Sequence, residues 1–251
     1  MQDLETGYAG ERFHVRAATP EQAAFWRGLG VGWEDETPAF VRRRARPARP
    51  SSTSGPGSAR SRASRHAAAP ASARWNRTPA ARAALEENLA RNGLEATILP
   101  AALHGDGGGP ALYGGRLGLG ASTTSALGVN LGEAVHVPTV TAAEVASRAG
   151  KGPADVKVDV EGHEYALGPA LAALCDALGG APMHLSLHPR RLAKAPRRRD
   201  PLFARRRATE ATARLLAEFG DAEIRLSGED SPLDPARMPG LAERDFAVEI
   251  G

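Results

Sequence analysis

The chain has 251 residues, 42% of them hydrophobic, which suits one large α/β domain with a substantial core and is short for two. No run of about 18 apolar residues exists to cross a bilayer, and the start MQDLETGYAGERF lacks the basic-then-apolar layout of a secretory signal, so a cytoplasmic address is expected. The single cysteine, Cys175, excludes an internal disulfide and a cysteine-rich metal site.

The predicted elements come in alternation. Phe25, Trp26, Trp33 and Phe40 suggest a helical cap over residues 1–43. From Ala80, AARAALEENLARNGL reads as a helix, with Leu85 and Leu89 one turn apart and Asn92-Gly93 as its stop. ATILPAAL is a strand, a glycine-rich loop from His104 to Gly120 follows with a possible strand at Ala111 to Tyr113, and VHVPTV is another strand. TAAEVASR opens on Thr141 with Glu144 three residues later, a capping box. Then come the strand DVKVDV, a helix through LGPALAALCDAL with Cys175 as a buried small hydrophobe, and the strand MHLSLH. A helix with Ala211, Leu215, Leu216 and Phe219 on one face and the strands AEIRL and FAVEI close the chain. Strand and helix alternate at βαβ spacing, which predicts a doubly wound, mostly parallel α/β sheet.

The formal net charge is +3, but it is concentrated. Residues 41–80 hold ten arginines and no acid, so the remaining 22 basic residues face all 29 acidic ones, a balance of −7. A second basic cluster, His188 to Arg207, holds one aromatic residue, Phe203, and no interleaved series of them to stack bases, and reads as a solvated loop and helix start. A nucleic-acid partner is therefore disfavoured.

Chemistry concentrates in VKVDVEGHE, Val156 to Glu164. Alternation puts Val156, Val158 and Val160 on one strand face and Lys157, Asp159 and Glu161 on the other. Strands inside a parallel sheet are normally apolar on both faces. Three charges in a row indicate either an edge strand or a site at the strand's carboxyl end, where open α/β sheets bind ligands. His104, His136, His184 and His188 have no metal-ligand spacing and read as surface or satisfied core histidines, so no metal is expected.

VKVDVEGHE resembles the I-K-I-D-V-E-G-x-E signature of the FkbM family of S-adenosylmethionine-dependent methyltransferases. AALEENLARNGL, VHVPTVTAAEV and MHLSLHP are similar to further segments of that family, so the resemblance covers about residues 80–250. It implies a Rossmann-like methyltransferase sheet, S-adenosylmethionine as cofactor, and O-methylation of a hydroxyl on a sugar or secondary metabolite. Asp159 and Glu161 would take the polar roles of aligning and deprotonating that small-molecule acceptor, with Lys157 or His163 as electrostatic partners. Ala101, Ala102 and Leu103 would lie near the adenine. Thr139-Val140-Thr141 departs from the family's T-L-D by losing the aspartate, and two opening motifs are absent: a glycine loop like V-D-I-G-A-x-x-G and an acidic E-P-x-P.

The missing motifs belong where the Arg/Ser/Ala/Pro-rich segment 44–79 lies. Shifted by one base, with permitted third bases, Ser51 to Arg60 reads F-V-D-I-G-A-W-I-G-P. The single codon of Trp75 followed by that of Asn76 must give glutamate; the next codon gives Pro or Ser and the following ones allow Asp and Pro, so the stretch can read V-E-P-D-P, 23 codons past the restored aspartate. A compensated frameshift accounts for residues 44–79, with residues 80–251 as the methyltransferase domain and the first strand and glycine loop disrupted; a genuine disordered insert of the same composition is the alternative. The chain as written is then open to being inactive. Two other functions remain: a basic nucleic-acid-binding module on an α/β scaffold, and a nucleotide-binding protein without methyl transfer. The acceptor and the oligomeric state are not legible in the sequence.

Overall fold

The computed structural model describes residues 2–8, 11–17, 19–29, 36–44, 51–54, 73–75, 79–104, 111–113, 134–150, 153–193 and 201–251. Residues 1–43 are not wholly helical, because the chain opens on an antiparallel hairpin of β1 (Gln2–Tyr8) and β2 (Glu11–Ala17). Phe13, Val15 and Ala17 alternate along β2 onto a small core with Ala23, Trp26 and Leu29. Trp26 and Leu29 come from α1 (Pro20–Arg27) and its exit; Thr19 caps that helix, accepting from the Gln22 backbone N–H at 3.2 Å. A second helix, α2 (Glu36–Arg44), carries the buried Phe40 and Val41.

Seven strands form the main sheet in the order β12, β13, β11, β10, β3, β4, β5. They are β3 (Ser51–Ser54), β4 (Ala73–Trp75), β5 (Thr97–Leu99), β10 (Asp155–Val158), β11 (Met183–Leu187), β12 (Ile224–Leu226) and β13 (Phe246–Ile250). All neighbours pair in parallel except β13, which runs antiparallel to both β11 and β12. From β3 the chain steps outward to β4 and β5, then returns to place β10 on β3's other side, so the strand order reverses between β3 and β10.

The central strand is present, which corrects the expectation of a disrupted one. Ser51 to Ser54 pair in register with Asp155 to Val158, and Thr53 and Ser54 with Arg74 and Trp75. A parallel ladder is made of main-chain N–H and C=O groups that any non-proline residue supplies, so four polar residues between two partner strands still complete it. The glycine loop expected next, at 55–60, lies outside the described residues, as do 45–50, 61–72 and 76–78.

Two predicted strands are each split by proline, which has no N–H to give a ladder. ATILPAAL divides at Pro100 into β5 and β6 (Ala102–Leu103). VHVPTV divides at Pro138 into β8 (Ala134–His136), which pairs with β7 (Ala111–Tyr113), and β9 (Thr139–Val140), which pairs with β6. The remaining helices are α3 (Pro79–Arg91), α4 (Ala142–Ala149), α5 (Glu164–Ala177), α6 (Pro189–Ala193), α7 (Pro201–Ala217) and α8 (Met238–Leu241). The capping box at Thr141 and Glu144 forms as predicted. Gly93 takes a positive φ of 57° at the stop of α3.

The main core joins Val156 and Val158 of β10, Met183, Leu185 and Leu187 of β11, Leu167, Leu171 and Leu174 of α5, Leu215 and Leu216 of α7, and Val248 of β13. Each such side chain contributes about 1.5–3 kcal/mol on burial. The hairpin is tied to α3 by two asparagines. Asn92 accepts from the His14 N–H and donates to its carbonyl, at 2.8 and 2.7 Å, and Asn88 accepts from the Arg16 N–H at 2.8 Å, so β2's outer edge is closed to further strands.

Candidate active site

β10 lies inside the sheet, between β3 and β11, and all four of its residues are buried. The edge-strand explanation of its charges is thereby excluded. Lys157 is 5% exposed, and burying an ammonium is costly unless it is paired and hydrogen-bonded. Its Nζ donates to Ser186 Oγ at 2.7 Å and to the Val158 carbonyl at 3.1 Å, and lies 3.3 Å from Asp159 Oδ2.

The alternation that puts Lys157, Asp159 and Glu161 on one face stops after Val158, where the strand ends. Glu161 takes a φ of 54° and Gly162 one of 98°. Two successive left-handed residues turn the chain sharply, and at Glu161, which has a Cβ, the conformation is strained. The turn brings the Glu161 carboxylate back beside Asp159, where it pairs with Arg191 of α6.

Glu164, the first residue of α5, holds this turn. Its carboxylate is fully buried and accepts from the Gly162 N–H at 2.8 Å and the His188 N–H at 2.7 Å, and lies 3.1 Å from His188 Nδ1. One side chain thus fastens the loop after β10 to the end of β11 and fixes the ring of His188. The other ring nitrogen, Nε2, lies 3.5 Å from Asp159 Oδ1 and 3.9 Å from Glu161 Oε2.

The electrostatics follow from this crowding. Burial alone would raise the Asp159 carboxyl, but Lys157 and His188 outweigh it and hold the pKa below the usual value. Burial pushes Glu161 up; His188 opposes that and the Asp159 charge adds to it. Burial also disfavours charge on His188, yet Glu164, Asp159 and Glu161 prevail and raise its pKa to about 9. His184, opposite Lys157 on β11, goes the other way: burial and the neighbouring ammonium hold it well below its ordinary value.

Of the residues singled out in the sequence, Lys157, Asp159 and Glu161 come together. His163 does not join them: its ring stacks on His104 with centroids 6.3 Å apart. Ala101, Ala102 and Leu103 are all buried, around β6. Cys175 is buried and its thiol pKa is pushed up to about 12. Trp33 and residues 105–110 and 114–120 of the glycine-rich loop lie outside the described residues. Sequence reasoning missed Glu164 and His188. Glu164 stands in the quoted VKVDVEGHE, and His188 directly follows a strand at the end of the sheet where ligands bind; those two positions were the available signal. His188 is largely buried and satisfied by Glu164, as a core histidine is, and it also lies within 4 Å of Asp159 and Glu161.

No family model matches the chain, and no curated protein matches it. Among solved structures, a Streptococcus mutans protein described as a SAM-dependent methyltransferase aligns over 100% of this chain and 56% of its own, with a TM-score of 0.50 and 8% identity. The T. thermophilus 16S rRNA N2 G1207 methyltransferase, in complex with AdoMet and guanosine, aligns over 99% of this chain and 44% of its own at TM-score 0.42 and 12% identity. An O-methyltransferase from Bacillus cereus in complex with SAH aligns over 93% and 81% at 0.43 and 10%. This chain spans about half the length of the first two. What the Streptococcus mutans likeness shows is an α/β fold of the methyltransferase kind.

Proposed function

We propose that the chain derives from an S-adenosylmethionine-dependent O-methyltransferase of FkbM type that acts on a hydroxyl of a sugar or secondary metabolite. The single observation that carries this is the gathering of Lys157, Asp159, Glu161 and His188 at the carboxyl ends of β10 and β11, beside the reversal of strand order between β3 and β10. Such a reversal is the crevice in which doubly wound sheets take ligands, and it supports the doubly wound reading. The VKVDVEGHE resemblance names the chemistry.

S-adenosylmethionine supplies an electrophilic methyl group on a sulfonium. The side chains on the donor side do not fit it as written. A ribose at the end of β4 calls for a carboxylate to accept from its hydroxyls, and the sequence there is Trp75-Asn76-Arg77. The one-base shift fixes a glutamate at position 76 and, with permitted third bases, allows F-V-D-I-G over positions 51–55, which are β3 and the residue after it. That coincidence of restored motifs with β3 and the exit of β4 supports the frameshift over an insert.

On the acceptor side the chain's own residues have defined work. Asp159 and Glu161 take hydrogen bonds from an incoming hydroxyl and orient it, Lys157 holds Asp159 ionised, and Glu164 keeps His188 Nε2 turned toward both carboxylates. A hydroxyl gives up its proton during methyl transfer, and this cluster is where it goes.

The test is methyl transfer from labelled S-adenosylmethionine by a frame-restored chain to a panel of hydroxylated acceptors. Asp159→Asn is expected to lower turnover by about 100-fold or more, with thermal stability nearly unchanged. Full specific activity in the folded variant would remove Asp159 from the reaction.

A further inference from the structure

Asp159, Glu161 and His188 each offer a ligand atom, and these atoms lie within 4.8 Å of one another. We propose that they form a binding site for one divalent first-row cation, with His188 Nε2, an Asp159 oxygen and a Glu161 oxygen as ligands and Glu164 as the group that orients the imidazole.

Geometry supports this first. Ligands about 2.1 Å from a common cation stand roughly 3–4 Å from each other, and His188 Nε2 lies 3.5 Å from Asp159 Oδ1 and 3.9 Å from Glu161 Oε2. Asp159 Oδ1 is buried and has no hydrogen-bond partner, while its sister oxygen takes the Lys157 ammonium. The group facing that oxygen is His188 Nε2 at 3.5 Å, too long for a hydrogen bond, and a metal ion between the two would satisfy both.

The second support is the arrangement around His188. A metal-ligating imidazole almost always gives its far ring N–H to a carboxylate or carbonyl, which fixes the tautomer and points the near nitrogen at the metal. Glu164, fully buried, does this at Nδ1, and it also accepts from the His188 main-chain N–H. A histidine that served only packing would not need its ring and its backbone held by the same buried acid.

Charge is the third. Asp159, Glu161 and Glu164 bring three carboxylates, and Lys157, Arg191 and a protonated His188 balance them; a divalent ion bound at Nε2 takes the place of the imidazolium proton and keeps the cluster compensated. Arg191 reaches the same Glu161 oxygen that faces His188. It is a monovalent occupant that a divalent ion would displace. One nitrogen and two carboxylates without thiolate favour Mn2+, Fe2+ or Zn2+ over softer-ligand metals. Binding itself does not depend on the methyltransferase reading; a role for the ion in polarising an acceptor hydroxyl would.

The test is Mn2+ titration of the full 251-residue chain, stripped with chelator, followed by calorimetry and by loss of the free-ion electron paramagnetic resonance signal. One Mn2+ per chain is expected. Affinity should fall by at least ~10-fold in His188→Gln and in Glu161→Gln, and stay unchanged in the control Asp221→Asn. Glu161 lies in a turn outside the core, so its variant remains informative should His188→Gln unfold. Arg191→Gln should bind at least as tightly as the parent chain. No saturable Mn2+ binding at millimolar concentration, equal affinity in the Glu161 variant, or weaker binding by Arg191→Gln would each overturn the site.

Discussion

Lys157 of β10 and Thr53 of β3 are register partners across the parallel pair at the centre of the sheet. Lys157 carries a buried ammonium whose charged neighbour is Asp159 at 3.3 Å. Under the proposed frameshift, and with the third base that makes position 53 aspartate, the two positions would hold an ion pair.

That account predicts a stabilising coupling between the two positions. In a frame-restored chain, replacing the aspartate at position 53 with asparagine, replacing Lys157 with methionine, and combining both form a double-mutant cycle. The interaction should be about 0.5–3 kcal/mol in favour of the pair, measured by urea denaturation. Additive single changes would mean that position 53 and Lys157 do not meet.

Glu164 should be worth more to the fold than its place in a turn suggests. Glu164→Gln leaves an amide facing N–H donors at Gly162 and His188 that the carboxylate now satisfies. The expected loss is about 2–4 kcal/mol, read from the denaturation midpoint. A loss below about 0.5 kcal/mol would mean the staple between the β10 exit and β11 is dispensable.

His188 predicts a pH dependence. Its pKa is raised from 6.5 to about 9 in the folded chain, so the stability it contributes is complete below pH 6.5 and is lost as pH rises through 9. At about 1.4 kcal/mol per unit, the decline is at most about 3.5 kcal/mol. In chelator-containing buffer, His188→Gln should flatten the stability profile between pH 6.5 and 9. An unchanged slope in the variant would contradict the carboxylate cage around this ring.

Much of this was legible in the sequence, and the failures have physical causes. The alternation of Val156 to Val160 and the capping box at Thr141 are local patterns, and they gave β10 and the start of α4 directly. Asp159 and Lys157 were legible for the same reason: charges in a strand flanked by valines need an explanation. The Glu164–His188 contact joins residues 24 apart through two different strand ends, and no period in the chain encodes it. The prolines at 100 and 138 were visible, but each reads equally as the end of one strand or an interruption within it. β3 was misjudged because its side chains, Ser-Ser-Thr-Ser, argue against a central strand while its backbone needs only partners on either side.

Cys175 gives an independent check on the core. The thiol is buried, its pKa is pushed up to about 12 chiefly by that burial, and only the thiolate reacts readily. At pH 8 it should resist alkylation until the chain unfolds, when modification becomes complete. Full labelling under native conditions, followed by mass spectrometry, would show that α5 is not packed as described.

The measurement that tests the central claim most directly is calorimetric titration of S-adenosylmethionine into two proteins made from synthetic genes, the chain as written and the frame-restored chain. Under the proposed donor site, two lost charge-assisted hydrogen bonds, at about 1.5–3 kcal/mol each, would weaken binding by about 100-fold or more, and the sequence as written has a cationic residue, Arg77, where the restored frame has none. The account predicts saturable binding by the restored chain near micromolar concentrations and none by the chain as written. Equal affinity in the two would contradict both the frameshift and the assignment of the donor site to the ends of β3 and β4.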